Sequence, residues 1–261
     1  MRVLVTNDDG VEAPGLVALA EALVEAGHEV LVVAPSGERS GSSAAIGRLH
    51  RSGPIACTQL RFPSLPDVEV YSLDLPPAGA VYAGLLGTFG PRPDAVAAGV
   101  NPGLNTGHLV LHSGTVGAAL TAVALGVPAV ALSIAWSEEP HWSTAAALAA
   151  PALDWAVGAP GPARALSINV PDVDRGSLRE VRGAFPAPYL EEWSTTHTPG
   201  EVRLEYQGRR SEPPPGSDLA AVLEGHVAVT TLAASAPGPP DEHACAAAAV
   251  AKVLGLAQPR S

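Results

Sequence analysis

Arg2-Val3-Leu4-Val5-Thr6-Asn7-Asp8-Asp9-Gly10 opens the chain as a run of strand-forming residues that breaks into a tight acidic turn. Pro14 and Gly15 follow, and from there Leu16, Leu19, Ala20 and Leu23 recur at helical spacing until Gly27. A proline at the first helical position is pre-set for the helix, and a glycine just past the last turn closes it. His28 to Ala34 is then an almost unbroken apolar run ending at Pro35, the pattern of a strand covered on both faces. Strand, helix and strand with short joints make a parallel pair joined by a right-handed crossover. The chain therefore begins as a doubly wound α/β fold.

Working outward, residues 36–66 are rich in Ser, Gly and Pro, with one alternating piece near Ile55 to Leu60, and read as a loop plus a hairpin. Val68 to Leu73 reads as a strand, Ala78 to Leu86 as a helix and Asp94 to Val100 as a strand ending in Asn101. Ser113 to Leu125 is the clearest helix, stopped by Gly126, and Val127 to Ser133 returns as a buried strand. An Ala-rich helix is expected from Ser143 to Val157, kinked or interrupted at Pro151, and Leu166 to Val170 as the next strand. Pro171 to Pro215 turns polar and irregular and reads as an arm, with Val202 to Tyr206 alternating as one exposed strand. Leu219 to Leu223 fits helix or strand, His226 to Leu232 a strand, and Asp241 to Leu254 a last amphipathic helix behind Pro-Gly-Pro-Pro. These divisions separate a core over 1–170 from a C-terminal extension over 171–261.

Composition narrows the chemistry. With 261 residues, 47% hydrophobic and only 4% aromatic, the chain can bury a large core of Val, Leu and Ala under helices. Its formal charge of -11, from 15 Lys+Arg against 26 Asp+Glu, would repel a nucleic-acid backbone, so polymeric nucleic acid is not an expected partner. Lys252 is the only lysine, which nearly removes Schiff-base chemistry, and no Gly-Lys-Ser/Thr of a P-loop is present. Cys57 and Cys245 lie far apart without metal-ligand spacing and read as two reduced thiols. No leader-like segment or membrane-length apolar run is present, so the expectation is a cytoplasmic protein without a membrane partner.

In an open α/β sheet, ligands gather beyond the carboxyl ends of the strands, and three such segments carry suspicious residues. Asp8 and Asp9 are adjacent carboxylates; two unit charges about 4 Å apart at an effective dielectric near 20 repel by roughly 4 kcal/mol, which a bound cation reverses. The plainer reading is that Asn7, Asp8 and Asp9 supply only turn and capping hydrogen bonds. Ser36-Gly37-Glu38-Arg39-Ser40-Gly41-Ser42-Ser43 offers hydroxyls at the same edge, and Asn101-Pro102-Gly103-Leu104-Asn105 offers two carboxamides. Carboxylate, carboxamide and hydroxyl without imidazole or thiolate suit a hard cation such as Mg²⁺ or Mn²⁺. Ser113-Gly114-Thr115-Val116-Gly117 opens the best helix, where free N–H groups and the positive dipole end make a phosphate site; an ordinary serine N-cap stands equally beside it as the plainer reading.

Asn7-Asp8-Asp9-Gly10 with Ala13-Pro14-Gly15, Ala34-Pro35 with Arg39-Ser40-Gly41, Gly99 to Asn105, and Ser113 to Ala119 together resemble the SurE (survival protein E) family of nucleotidases. Fainter echoes run through Ile168-Asn169-Val170-Pro171, Gly216-Ser217-Asp218 and Glu224 to Thr230. The resemblance implies a Rossmann-like, mostly parallel sheet forming the catalytic core. A smaller C-terminal portion, with a β arm and terminal helix, would be exchanged between subunits to give a homodimer or tetramer. It implies 5'- and 3'-nucleotidase activity on nucleoside monophosphates, with one divalent metal ion per subunit held by Asp8, Asp9, Ser40 and Asn101. Gly41, Asn105, Ser113, Gly114 and Thr115 would bind the phosphate, with Asp8 and Asn105 the catalytic pair. Three departures bear on substrate choice: His112 where the family has an aromatic, Gly47 where it has Ser or Thr, and Gly79 in place of an acidic helix-opening residue.

The expected chemistry is attack of a metal-activated water on phosphorus, with Asp8 orienting or deprotonating it. Asp8 and Asp9 are consecutive, unlike the Asp-x-Asp of haloacid-dehalogenase-like phosphatases, which argues against a covalent aspartyl-phosphate. His108 and His112 are candidates to protonate the leaving sugar oxygen, although spacers or pocket walls are the plainer reading. A dinucleotide-binding oxidoreductase would need a Gly-x-Gly-x-x-Gly turn where Asn7 to Gly10 stands. A catalytically impaired nucleotide-binding or assembly protein on the same fold is the remaining alternative.

Overall fold

A computed structural model describes residues 1–49 and 53–234; the helix expected over Asp241 to Leu254, with Cys245 and Lys252, lies outside them. The opening unit is β1 (Arg2–Thr6), α1 (Pro14–Glu25) and β2 (Glu29–Pro35). A hairpin follows, β3 (Cys57–Phe62) antiparallel to β4 (Leu65–Leu73), and β4 runs parallel to β2. Next come α2 (Pro77–Leu85), β5 (Ala95–Pro102), α3 (Gly114–Ala124) and β6 (Ala129–Ile134). Two short helices, α4 (Trp142–Ala146) and α5 (Ala149–Gly158), lead to β7 (Ala165–Val170).

The main sheet has nine strands in the order β3-β4-β2-β1-β5-β6-β7, then two strands that follow β7 in the chain, β11 (Val227–Leu232) and β8 (Val181–Gly183). From β4 to β7 all neighbours are parallel, and the order reverses between β1 and β5. That reversal leaves a crevice at the carboxyl ends of β1 and β5, because their following segments depart to opposite sides. β11 is antiparallel to β7 and parallel to β8.

Both faces are covered, which explains the continuous apolar strands. Val3 and Val5 of β1 face a layer built by Leu16, Leu19 and Leu23 of α1 and Leu153 of α5, while Leu4 faces α2 and α3 through Val81, Val116 and Ala119. Gly15 shows how tightly α1 sits on β5: a Cβ there would lie 2.1 Å from the Val100 carbonyl oxygen. The turn that carries Asp8 and Asp9 is thus fixed from its far end by the helix that follows it.

Two expectations are corrected. The Ala-rich helix breaks at Ala147–Leu148 rather than at Pro151, which falls in the first turn of α5, where a missing N–H breaks no helical bond. The polar arm holds three strands instead of one: β8 joins the main sheet beside β11, and β9 (Glu191–Thr198) and β10 (Glu201–Arg209) pair as an antiparallel ribbon outside it. Leu219 to Leu223 belongs to a helix, α6 (Asp218–Leu223).

Candidate active site

Asn7 is fully buried and does the turn work: its Nδ2 donates to the Gly10 carbonyl at 2.9 Å, and its Oδ1 accepts from the Gly10 N–H at 3.3 Å. Gly10 takes φ +108, which a side chain would resist. With the turn closed by Asn7, the two aspartates that follow it are free for another use.

Asp8 is 3% exposed and lies against the start of α3. Thr115 Oγ1 donates a hydrogen bond to Asp8 Oδ1, and the same hydroxyl lies 3.5 Å from Asn101 Oδ1. Burial raises the pKa of Asp8, while the Thr115 hydroxyl and the N–H groups of Asp8, Thr115 and Gly114 act in the opposite direction. The helix N-terminus therefore holds a carboxylate of its own chain. Ser113 caps α3 by accepting from the Val116 N–H at 3.1 Å, the plainer of its two readings, and the Gly114 and Thr115 that follow it lie against Asp8.

Asp9 has a different environment. Its Oδ2 is buried without a hydrogen-bond partner, and burial, then the charges of Asp8 and Glu38, push its pKa up to about 7. A buried carboxylate oxygen with no donor is costly, and a cation relieves it.

The loop after β2 folds over these residues. Arg39 N–H donates to the Asp8 carbonyl at 2.6 Å, Ser43 N–H to the His112 carbonyl at 3.1 Å and Ser43 Oγ to the Leu111 carbonyl at 2.7 Å. Arg39's guanidinium is drawn to Asp74 at 2.8 Å. Ser40 turns back on Glu38: its N–H donates to Glu38 Oε1 at 2.8 Å, and its hydroxyl helps hold that carboxyl below the usual range. Gly41 is exposed at φ +74, the bend that lets the loop return toward α3. Ser42 is the residue sequence reasoning passed over. Its buried Oγ has no partner, and a Cβ on Gly114 would meet that oxygen at 2.7 Å and Asp8 Oδ2 at 2.8 Å. Its signal was only its place among the loop's hydroxyls.

At the end of β5 the register against β6 shifts between Ala98 and Asn101, leaving Asn101 paired with Ser133. Asn101 Nδ2 donates to the Gly103 carbonyl at 2.7 Å, which turns its oxygen toward Thr115. Asn105 is 8% exposed; its Nδ2 donates to Ser133 Oγ at 2.9 Å, leaving the second amide N–H uncommitted. Asn169 in β7 grips its backbone, accepting from Asn105 N–H at 2.8 Å and donating to its carbonyl at 3.1 Å.

His108 and His112 are both exposed, on a single turn of 3-10 helix over Gly107–Leu111 and its cap. The ring of His108 meets Tyr189 edge-on at 6.3 Å. Gly47 and Gly79 share one packing contact: a Cβ on Gly47 would meet Pro76 at 2.9 Å, and one on Gly79 the Ile46 carbonyl at 3.0 Å. Among the described residues no three His, Cys, Asp or Glu side chains gather as metal ligands, so a cation here would need Asp8 and Asp9 completed by neutral oxygens. Nor is any helix among them long and apolar enough to cross a membrane.

Three comparisons bear on this geometry. The family model described as Survival protein SurE matches residues 3–188. A 5'/3'-nucleotidase SurE of Edwardsiella ictaluri is 39% identical over 250 residues, covering 89% of each chain. A 5'-nucleotidase SurE of Anaeromyxobacter is 44% identical over 240 residues, again covering 89% of each. The crystal structure of a SurE protein from Aquifex aeolicus superposes with TM-score 0.75 at 27% identity, covering 91% of this chain and 95% of that one.

Proposed function

The chain belongs to the SurE family, and from that premise we propose that it is a 5'-nucleotidase that hydrolyses nucleoside monophosphates to nucleoside and phosphate. The name of the Edwardsiella relative suggests 3'-monophosphates as a second substrate set. The observation that carries the reading is the meeting of Asp8 with Thr115 and Asn101 at the strand-order reversal, beside the orphaned Asp9 oxygen.

One divalent cation per subunit, Mg²⁺ or Mn²⁺, would be held by Asp8, Asp9, Ser40 and Asn101. Its fit rests on the partnerless Asp9 Oδ2, the neighbouring Asp8 carboxylate, the inward-turned Asn101 oxygen and an all-oxygen donor set. Ser40 would release Glu38 to join it. When bound, such an ion would supply positive charge to phosphoryl oxygens and acidify water.

The remaining work belongs to the protein. Asp8, steadied by Thr115, orients the attacking water and takes its proton. Asn105 directs its uncommitted amide N–H at a phosphoryl oxygen, and Gly41 and the Ser113-Gly114-Thr115 turn flank the phosphate. As the water oxygen bonds to phosphorus, the ester P–O bond breaks, and the sugar oxygen takes up a proton from His112, His108 or solvent.

Subunits would assemble as dimers or tetramers through residues 171–261. In support, β9 and β10 place Trp193, Val202, Leu204 and Tyr206 on one exposed face, more apolar surface than a lone ribbon keeps without a partner.

Phosphate release from AMP and GMP tests the reading: activity appears with Mn²⁺ or Mg²⁺ and vanishes with chelator. Folded protein that binds AMP without releasing phosphate would instead be the impaired nucleotide binder.

A further inference from the structure

Asp218, the first residue of α6, is 2% exposed, and among the described residues no Lys, Arg or His pairs with it. A buried carboxylate of this kind survives only if its oxygens are filled by donors. Here the donors are backbone. Oδ2 accepts from the Gly107 N–H at 2.8 Å, and Oδ1 from Ala187 at 2.9 Å and Leu219 at 2.7 Å. One side chain thus ties its own helix to two segments, 31 and 111 residues earlier in the chain.

Gly107 stands two residues after Asn105. It takes φ +57, and a Cβ there would lie 2.7 Å from the Ala187 carbonyl oxygen, so the turn is pressed against the C-terminal portion without slack. On the other side Asn169 holds the Asn105 backbone by both its N–H and its carbonyl, and Leu104 packs with Ala221, Val222 and Ala228. The segment 104–107 therefore has one fixed end on β7 and one on Asp218.

We propose that Asp218 is a positioning residue for Asn105, holding the Gly107 turn so that the Asn105 carboxamide faces the phosphate. The proposal rests on the reading of Asn105 as a phosphate-binding group. Substitution by Asn keeps the shape but turns one acceptor into a donor facing a backbone N–H, which frees either the Gly107 or the Ala187 attachment.

The test uses the full chain with Mn²⁺ and measures inhibition by inorganic phosphate together with kcat/KM for AMP. The inhibition constant is independent of how much enzyme is folded, so a merely structural loss does not move it. Asp218→Asn is expected to weaken phosphate inhibition by about 10-fold, as Asn105→Ala does. The double variant is expected to be no weaker than Asn105→Ala alone, because the two act through one contact. If Asn105→Ala weakens phosphate and Asp218→Asn does not, or if their effects multiply, the positioning role is overturned. If neither variant changes phosphate inhibition, the Asn105 reading fails first and takes this one with it. Should Asp218→Asn not fold, Gly107→Ala moves the same turn with α6 intact, and an unchanged inhibition constant there overturns the proposal equally.

Discussion

Thr115 Oγ1 donates to Asp8 Oδ1, joining the turn after β1 to the first turn of α3 across 107 residues of sequence. The bond fixes the rotamer of the carboxylate and, with the nearby N–H groups, offsets part of the rise in its pKa caused by burial.

Thr115→Val removes that hydroxyl and keeps the branched shape. Asp8 then protonates more readily, so the acidic limb of the kcat/KM profile for AMP moves to higher pH, and the plateau falls by about 10-fold. A profile that overlays the parent would remove the role given to this bond.

Asp8→Asn keeps the size of the side chain and discards both its charge and its proton affinity. Phosphate release from AMP with Mn²⁺ should fall by about 100-fold or more, while thermal melting in chelator is retained or improved. Equal turnover in the variant would end the assignment of Asp8 as the group that orients water.

Gly114→Ala tests the closeness of the loop, the aspartate and the helix. A Cβ would meet Ser42 Oγ at 2.7 Å and Asp8 Cβ at 2.8 Å, so one of them must move. A displacement near 1 Å at a reacting centre costs on the order of 100-fold in kcat/KM. Circular dichroism should show the fold retained; full activity in the variant would mean that Asp8 does not sit at the reacting centre.

Asp9 gives a pH dependence of stability in chelator. Its folded pKa, about 7, lies above the ordinary 3.8, so between these values the folded chain binds more protons than the unfolded one. Stability therefore falls as pH rises from 3.8 through about 7, by at most about 4 kcal/mol and less where solvent reaches the side chain. Asp9→Asn should flatten that slope in denaturant titrations, and a slope unchanged by the substitution would contradict the assignment.

Much of this was legible in the sequence because it was local or periodic. The opening strand-helix-strand, the strand ending in Asn101 and the helix opened by Ser113 each declare themselves through spacing and punctuation. What escaped was non-local. In β9, Glu191-Glu192-Trp193-Ser194-Thr195 has no alternation of its own; β10 sets its register. Pro151 misled because a proline's effect depends on its distance from the helix start, which the sequence blurred. In the site, Asp8, Asp9 and Asn101 stood out as polar residues ending apolar strands, whereas Ser42 resembled its neighbouring loop serines. Asn169 and Asp218 lay in short motifs whose purpose appears only where their side chains reach Asn105 and Gly107.

The attachment of Gly107 to Asp218 also orders events during synthesis. The aspartates at positions 8 and 9 leave the ribosome first, but the carboxylate that receives the Gly107 N–H is made more than a hundred residues after that glycine. A nascent chain can assemble its parallel strands, and close Asn169 on the Asn105 backbone, before residue 218 is made, yet the Gly107 end of that turn lacks its attachment until Asp218 has emerged.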